Sequence, residues 1–163
     1  MIGTGGIVGL GVDDAGELLT LQRAAYVTEA QLHQDVSLPA LTQSMPEILD
    51  ELADPAVRAW GIRSGARLVA AMRIRVEGPV AELGRLVVVP DMQGQGLGTR
   101  LIDAVDSLLP DMVNRVELFT GEKSVANIRL YQRKGFTEMR RRNVGAYDLA
   151  FLARPRESLP HRD

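Results

Sequence analysis

The chain contains no cysteine in 163 residues. Disulfides, thiolate nucleophiles and cysteine-ligated metals are thereby excluded, and a cytoplasmic setting is expected. Histidine is nearly as scarce: His33 and His161 stand far apart, so no metal constellation is expected. Neither charge sign is in excess. Nineteen basic residues face 21 acidic ones, a formal net charge of -2, which argues against a nucleic-acid partner. No apolar run is long enough to span a bilayer, so no membrane partner is expected either. The N-terminal MIGTGGIVGLGV is apolar but lacks a basic leading segment and an adequate apolar stretch. It reads as a glycine-rich first strand, not a signal peptide. What remains is an ordinary globular composition, 45% hydrophobic and 25% charged. The length suits one domain over residues 1–153, and the charged stretch 154–163 is expected to be a disordered tail.

Hydrophobic periodicity sets out the elements. Asp13 and Asp14 are placed to cap a helix running to about Ala30, with Leu18, Leu19, Leu21 and Ala25 on its apolar face. A looser segment with Pro39 follows. Ser44-Met45-Pro46-Glu47 is a capping box with an early proline, predicting a helix to about Ala53. The period then changes. Val57 to Arg63 reads as a strand, and Ala66 to Val76 alternates clearly, with Leu68, Ala70, Met72, Ile74 and Val76 on one face and Arg67, Arg73 and Arg75 on the other. Val80 to Val89 is a third strand of this run, apolar on both faces at its end, as in a central strand. Leu97, Leu101, Ile102, Val105, Leu108 and Leu109 form a helical stripe. Arg115 to Thr120 is a strand. Ser124 caps a helix to about Lys134 that Gly135 stops. Phe136 to Met139 and Val144 to Leu152 are the last two strands. Hairpin strands combined with two strand-helix crossovers indicate an α+β sheet with mixed pairing.

One stretch carries chemistry: VVVPDMQGQGLGTRL, Val87 to Leu101. A strand, glycines at 94, 96 and 98, and a helix N-terminus together make an anion site. The first helical N–H groups have no internal partner, and the helix dipole adds positive potential. A Walker loop would need Lys-Ser/Thr after the last glycine, where Thr99-Arg100 stand. A dinucleotide fingerprint would need glycine at position 99. On its own the loop is equally a plain glycine-rich turn.

Gln93-Gly94-Gln95-Gly96-Leu97-Gly98, with Thr99 following, resembles the Gln/Arg-x-x-Gly-x-Gly pyrophosphate loop of the GNAT superfamily of acetyl-CoA-dependent N-acetyltransferases. Leu86-Val87-Val88-Val89-Pro90 resembles that family's LxVxP strand end. Downstream, Asn127-Ile128-Arg129-Leu130-Tyr131 and Gly135-Phe136 resemble its second signature. Asn127 and Tyr131, four residues apart, share one helix face. The likeness covers about residues 7–152, with specific motifs in 80–136. It implies a mixed, mostly antiparallel twisted sheet of about seven strands with about four helices, splayed between strands 4 and 5.

The resemblance also implies roles. Acetyl-CoA is the co-substrate, and no metal is needed. Asn127 would bond the pantetheine arm, and Tyr131 would be the general acid at the sulfur. The fourth strand would bulge, with Val87 and Val89 pairing to pantetheine through their backbones. Arg100, Arg129, Arg133 and Lys134 are candidates for the phosphates, although a solvated helix face accounts for each equally. Arg140-Arg141-Arg142 is better explained as a charged hairpin end.

Acetyl transfer needs a free amine, and an alkyl ammonium is deprotonated in fewer than roughly one molecule in a thousand at pH 7. Glu82 lies four residues before Leu86, so both side chains face the same way along the strand. In some relatives a Glu there is the base; the alternative is an ion pair with Arg73 or Arg75. Glu117 is a second candidate. Tyr26, Glu29, Asp35, Glu47 and Asp50 lie in the segments that usually line the acceptor side. The acceptor is expected to be a primary amine of a small molecule or peptide; a protein lysine stays open, and so does a homodimer. The rival function is a non-catalytic acyl-CoA-binding sensor or assembly module of the same fold.

Overall fold

The computed structural model describes residues 4–157. Its elements are β1 (Thr4–Leu10), α1 (Ala15–Ala25), α2 (Val27–His33), α3 (Pro39–Thr42), α4 (Met45–Ala53), β2 (Val57–Ser64), β3 (Arg67–Glu77), β4 (Val80–Val88), α5 (Leu97–Leu108), β5 (Arg115–Gly121), α6 (Val125–Arg133), β6 (Thr137–Asn143) and β7 (Asp148–Pro155). The seven strands form one sheet in the order β1-β2-β3-β4-β5-β7-β6. Only β4 and β5 pair in parallel; the other five ladders are antiparallel. This is the α+β architecture expected from the hairpin run and the two crossovers.

Local chemistry accounts for the elements. Ser44 and Glu47 make the reciprocal capping box of α4, each side chain bonded to the other's backbone N–H. The predicted stripe of α5 is buried: Leu101, Ile102 and Val105 have no more than 1% exposure. Burying each such side chain stabilises the fold by about 1.5–3 kcal/mol. Helices cover both faces of the sheet, so β3 is buried from Leu68 to Ile74 with no alternation. Arg73, expected on the polar face, is 4% exposed. It survives there because Glu51 of α4 pairs with it at 2.9 Å and Gln22 of α1 accepts at 2.7 Å.

Several boundaries differ from expectation. The first helix breaks at Tyr26, which ends α1 and precedes α2. The looser segment at Pro39 holds the single turn α3, so the described helices number six, not about four. Ser124 sits at the start of α6 but does not cap it; its hydroxyl donates to Glu29. The last hairpin is shifted toward the C-terminus, with β7 reaching Pro155. The expected disorder from residue 154 is therefore corrected at its start. Arg154 is buried in a 3.0 Å ion pair with Asp106. Arg156 donates to the carbonyls of Asp106, Leu109, Pro110 and Val113. Those carbonyls lie at and just beyond the end of α5, where a helix leaves acceptors unpaired. The rest of the expected tail, with His161, lies outside the described residues. Among the described residues no helix is long and apolar enough to cross a membrane.

Candidate active site

The sheet opens between β4 and β5. Their ladder has three pairs, Val80–Arg115, Ala81–Val116 and Glu82–Glu117. Beyond Glu82 both strands continue without pairing to each other. A bulge drives them apart. On β3 only Met72 lies between Ala71 and Arg73, whereas on β4 both Arg85 and Leu86 lie between their partners Val87 and Gly84. The extra residue bends and twists β4. Arg85 takes the left-handed conformation, φ 49°, at a cost of about 1–2 kcal/mol for a non-glycine residue.

The bulge corrects two expectations. Glu82 opposes Arg75 and Val87 opposes Ala71 on the unbroken β3. It is therefore Val87, not Leu86, that stands on the Glu82 side; parity counting fails across an inserted residue. Second, Val89 is not free to pair with a ligand. Its N–H donates to Val69 and its carbonyl accepts from Met92. Alternation then turns the polar groups of Val88 toward the gap. The Val88 carbonyl accepts from the Gln93 side chain at 3.2 Å. Val87 and Val89 side chains are buried, as expected of core residues.

The three glycines do two different things. Gly94 and Gly96 have φ of 78° and 82°, and a Cβ on either would meet nothing within 4 Å. They shape the turn and leave open space in front of α5. Gly98 has an ordinary φ; its Cβ would touch Val88 Cγ2 at 3.8 Å, so it allows close helix–strand packing. Arg100 is the first residue whose N–H closes on Gly96. The N–H groups of Leu97, Gly98 and Thr99 precede it and have no helical partner. Gln95 is exposed beside them, and Leu97 is buried. Open space, unpaired donors and a free strand edge suit a pyrophosphate followed by an amide-bearing arm.

Across the gap, α6 presents Asn127 and Tyr131. Tyr131 is 8% exposed and packs edge-on against Phe136, 5.9 Å between centroids. Burial raises its hydroxyl pKa well above the usual value, and the nearby Tyr26 and Glu29 charges add to the shift. The hydroxyl therefore stays protonated at any physiological pH. Glu29 of α2 accepts from Asn127 Nδ2 at 3.3 Å and from the Ser124 hydroxyl. His33, one turn on, is buried. Its Nδ1 lies 2.9 Å from the Glu29 carbonyl and its Nε2 accepts from the Lys123 N–H, which fixes the Nδ1–H tautomer. A Cβ at Gly121 would collide with the His33 ring. Tyr147 packs at a tilt against His33 and donates to Asp35 at 2.7 Å. Glu29 is thus the acceptor-side carboxylate that bonds α6 among the described residues; Asp35 is held by Tyr147, Glu47 by the α4 cap, and Asp50 is exposed.

Beside the bulge at Gly84 and Arg85 lies a cleft of about 180 Å³. Tyr26, Glu51, Arg73, Glu82, Arg85 and Phe119 line it. Glu82 is exposed there, without the expected ion pair among the described residues. Glu117, its register neighbour, is held by Arg115 at 2.7 Å. Arg85, Glu51 and Phe119 had no signal in the sequence, save that Gly84-Arg85 interrupts the alternation of β4.

The remaining candidate cations disperse. Arg100 ties α5 to Thr4 and Gly5 of β1. Lys134 pairs with Asp103. Arg133 borders a separate hollow with Asp103, Asp106 and Arg154. Arg129 is exposed. Arg140 and Arg142 lie over the Phe151 ring, and Arg141 pairs with Glu138 and Glu122. The arginine run is a hairpin surface, as expected.

Comparisons with known proteins bear on the family and the fold. A family model described as "Acetyltransferase (GNAT) family" matches residues 21–136. A curated relative, "UPF0157 protein YqkA" of Bacillus subtilis, is 27% identical over 122 residues. The match takes 75% of this chain and 34% of the relative, so the chain spans about a third of that protein. Among solved structures, the ribosomal-protein-S18-alanine N-acetyltransferase of Escherichia coli has a TM-score of 0.76 at 20% identity, covering 96% of each chain. The PaiA N-acetyltransferase of Thermoplasma acidophilum, in complex with coenzyme A, has a TM-score of 0.71 at 17% identity, covering 91% of this chain and 98% of its own. The spermidine N-acetyltransferase of Vibrio cholerae, in complex with CoA and spermine, scores 0.68 at 16% identity, covering 94% and 95%. At these identities the solved structures show the fold alone.

Proposed function

The chain belongs to the GNAT acetyltransferase family, and from that premise we propose that it moves an acetyl group from acetyl-CoA to the primary amine of an acceptor by direct attack. The carrying observation is the opening of β4 from β5 directly beside the glycine turn of α5. It leaves a free strand edge, unpaired helical N–H groups and a buried tyrosine around one gap.

Bound acetyl-CoA would supply an acetyl carbon activated as a thioester. The N–H groups of Leu97, Gly98 and Thr99, with the Gln93-Gly94-Gln95-Gly96 turn, would hold the pyrophosphate. The gap-facing backbone of Val88, with Leu86 in the bulge, would pair with the pantetheine arm, and Asn127 would bond it from α6. Arg133 is retained as a candidate for the outer phosphate. Glu82, exposed in the acceptor cleft, takes one proton from the incoming ammonium, directly or through water. Tyr131, kept neutral by burial, donates its hydroxyl hydrogen bond at the leaving sulfur. Its proton is replaced by the one the amine nitrogen loses.

The test is thiol release. Purified protein is incubated with acetyl-CoA and a panel of amines, with acetyl-CoA affinity measured separately by calorimetry. CoA release dependent on an amine supports the proposal. Tight acetyl-CoA binding with no release for any amine would point to a non-catalytic acyl-CoA-binding module.

A further inference from the structure

The acceptor cleft holds more charge than its own ion pairs account for. Arg73 is neutralised by Glu51 at 2.9 Å and Arg75 by Asp54 at 3.0 Å. Among the described residues neither Arg85 nor Glu82 has an ion-pair partner. Arg85 Nε is enclosed and makes no hydrogen bond, and a buried unsatisfied donor on a cation is costly. Its charge lies close enough to act on the Tyr26 hydroxyl and to repel Arg73. Position 85 also bears left-handed backbone strain, φ 49°. Glycine would relieve that strain, and strained backbone persists where the side chain has a use.

The placement is specific. Arg85 is in the bulge that opens the gap, and Glu82 is three residues earlier on the same strand, in the same cleft. A cation and a carboxylate that line one small space, neither held in an ion pair, form a receptor for a molecule with the opposite pair of charges. The volume, about 180 Å³, is below the roughly 300–1,000 Å³ of pockets that enclose drug-sized ligands. A polyamine would meet the uncompensated guanidinium.

Resting on the acetyltransferase reading above, we propose that the acceptor is a small amine that also bears a carboxylate, an amino acid in chemical class, held through its carboxylate by Arg85 with its amine toward Glu82. In the balanced reaction the ammonium gives up one proton to the Glu82 side. The nitrogen then gains the bond to the acetyl carbon as the carbon–sulfur bond breaks, and the second proton ends on the thiol of CoA. The products are an N-acetylamino acid, CoA and one released proton. Arg85 itself only positions and selects.

The experiment pairs acids with their neutral counterparts. The twenty L-amino acids, with β-alanine and γ-aminobutyrate, are titrated into CoA-bound protein by calorimetry and assayed for thiol release with acetyl-CoA. Each is compared with its carboxamide, and spermidine is included. The expected result is binding and turnover of at least one amino acid, with kcat/KM exceeding its amide by roughly 100-fold or more, as for sites built around a charged group. Arg85→Gln should collapse that ratio toward one while acetyl-CoA still binds, and Arg85→Lys should restore part of it. Should Arg85→Gln not fold, the Lys variant and the wild-type acid-to-amide ratio carry the test. Equal use of acid and amide, preference for spermidine, or acetyl-CoA binding with no amino acid acetylated would overturn the proposal alone. No acetyl-CoA binding at all would overturn the donor reading with it.

Discussion

The proposed donor side and the proposed acceptor side of the gap are made of different materials. The donor side is backbone: the glycine turn at 94–98, the first N–H groups of α5 and the gap-facing edge of β4, with Asn127 and Tyr131 closing it from one helix. The acceptor side is side chains: Tyr26 between α1 and α2, Glu51 of α4, Arg73 of β3, Glu82 and Arg85 of β4, and Phe119 of β5. Backbone recognition is spelled in local sequence, because only glycine tolerates φ near +80° without strain and only a strand-turn-helix exposes those donors. Side-chain recognition is assembled by topology from segments that share no local pattern. One half can therefore serve a common donor while the other varies freely.

The sharpest way to break this division is Gly96→Trp. The indole must enter the space that Gly96 leaves open, at a φ that side chains rarely adopt. Acetyl-CoA binding measured by calorimetry should be lost in a protein that still melts cooperatively; normal binding would sink the loop assignment. Next in size is Tyr131→Phe, which removes the hydroxyl at the junction of the two halves. Turnover should fall by roughly 100-fold, the scale of a lost general acid, with acetyl-CoA affinity little changed. Undiminished turnover would remove Tyr131 from the chemistry.

The smallest effect belongs to neither half but to the contact of Tyr147 with α2 and Asp35. Burial, then the hydrogen bond to Asp35, pushes the Tyr147 pKa up from its ordinary value to about 12. Folding therefore favours the neutral phenol. That contribution to stability is complete below pH 10 and is lost as pH rises through the folded value. The Asp35 pKa is lowered, first by the same hydrogen bond, so its contribution is present above the ordinary carboxylate value and fades as pH falls through its folded pKa. Tyr147→Phe should lower the melting temperature by a few degrees at pH 8 and flatten the loss of stability between pH 10 and 12. Urea titrations across that range check it; an unchanged alkaline slope would show that the His33–Tyr147–Asp35 contact carries no such linkage.

Much of the fold was legible. The α4 capping box, the α5 stripe and the succession of strands along the chain follow from patterns of a few residues that the structure reproduces. The errors share a cause: each extended a local rule across a place where a distant segment intervened. Counting by twos from Glu82 to Leu86 failed at the bulge. The polar face assigned to Arg73 failed because α1 and α4 cover it. The tail expected from residue 154 failed because Arg154 and Arg156 find Asp106 and the carbonyls after α5. Ser124 looks like a cap until Glu29, from α2, takes its hydroxyl.

What the residues determine by themselves is the local shape of the proposed donor side: three glycines at alternate positions after a buried strand, then Asn127 and Tyr131 one helical turn apart. These are constraints on backbone shape and helix face, and neighbours four residues away suffice to express them. What only the tertiary structure decides is where β4 leaves β5, which carboxylate of α2 meets α6, and which charges in the cleft are already paired. Those depend on long-range register and burial. A single inserted residue at Arg85 reverses the facing of everything after it, and an arginine's charge counts for recognition only when no carboxylate from another element has already neutralised it.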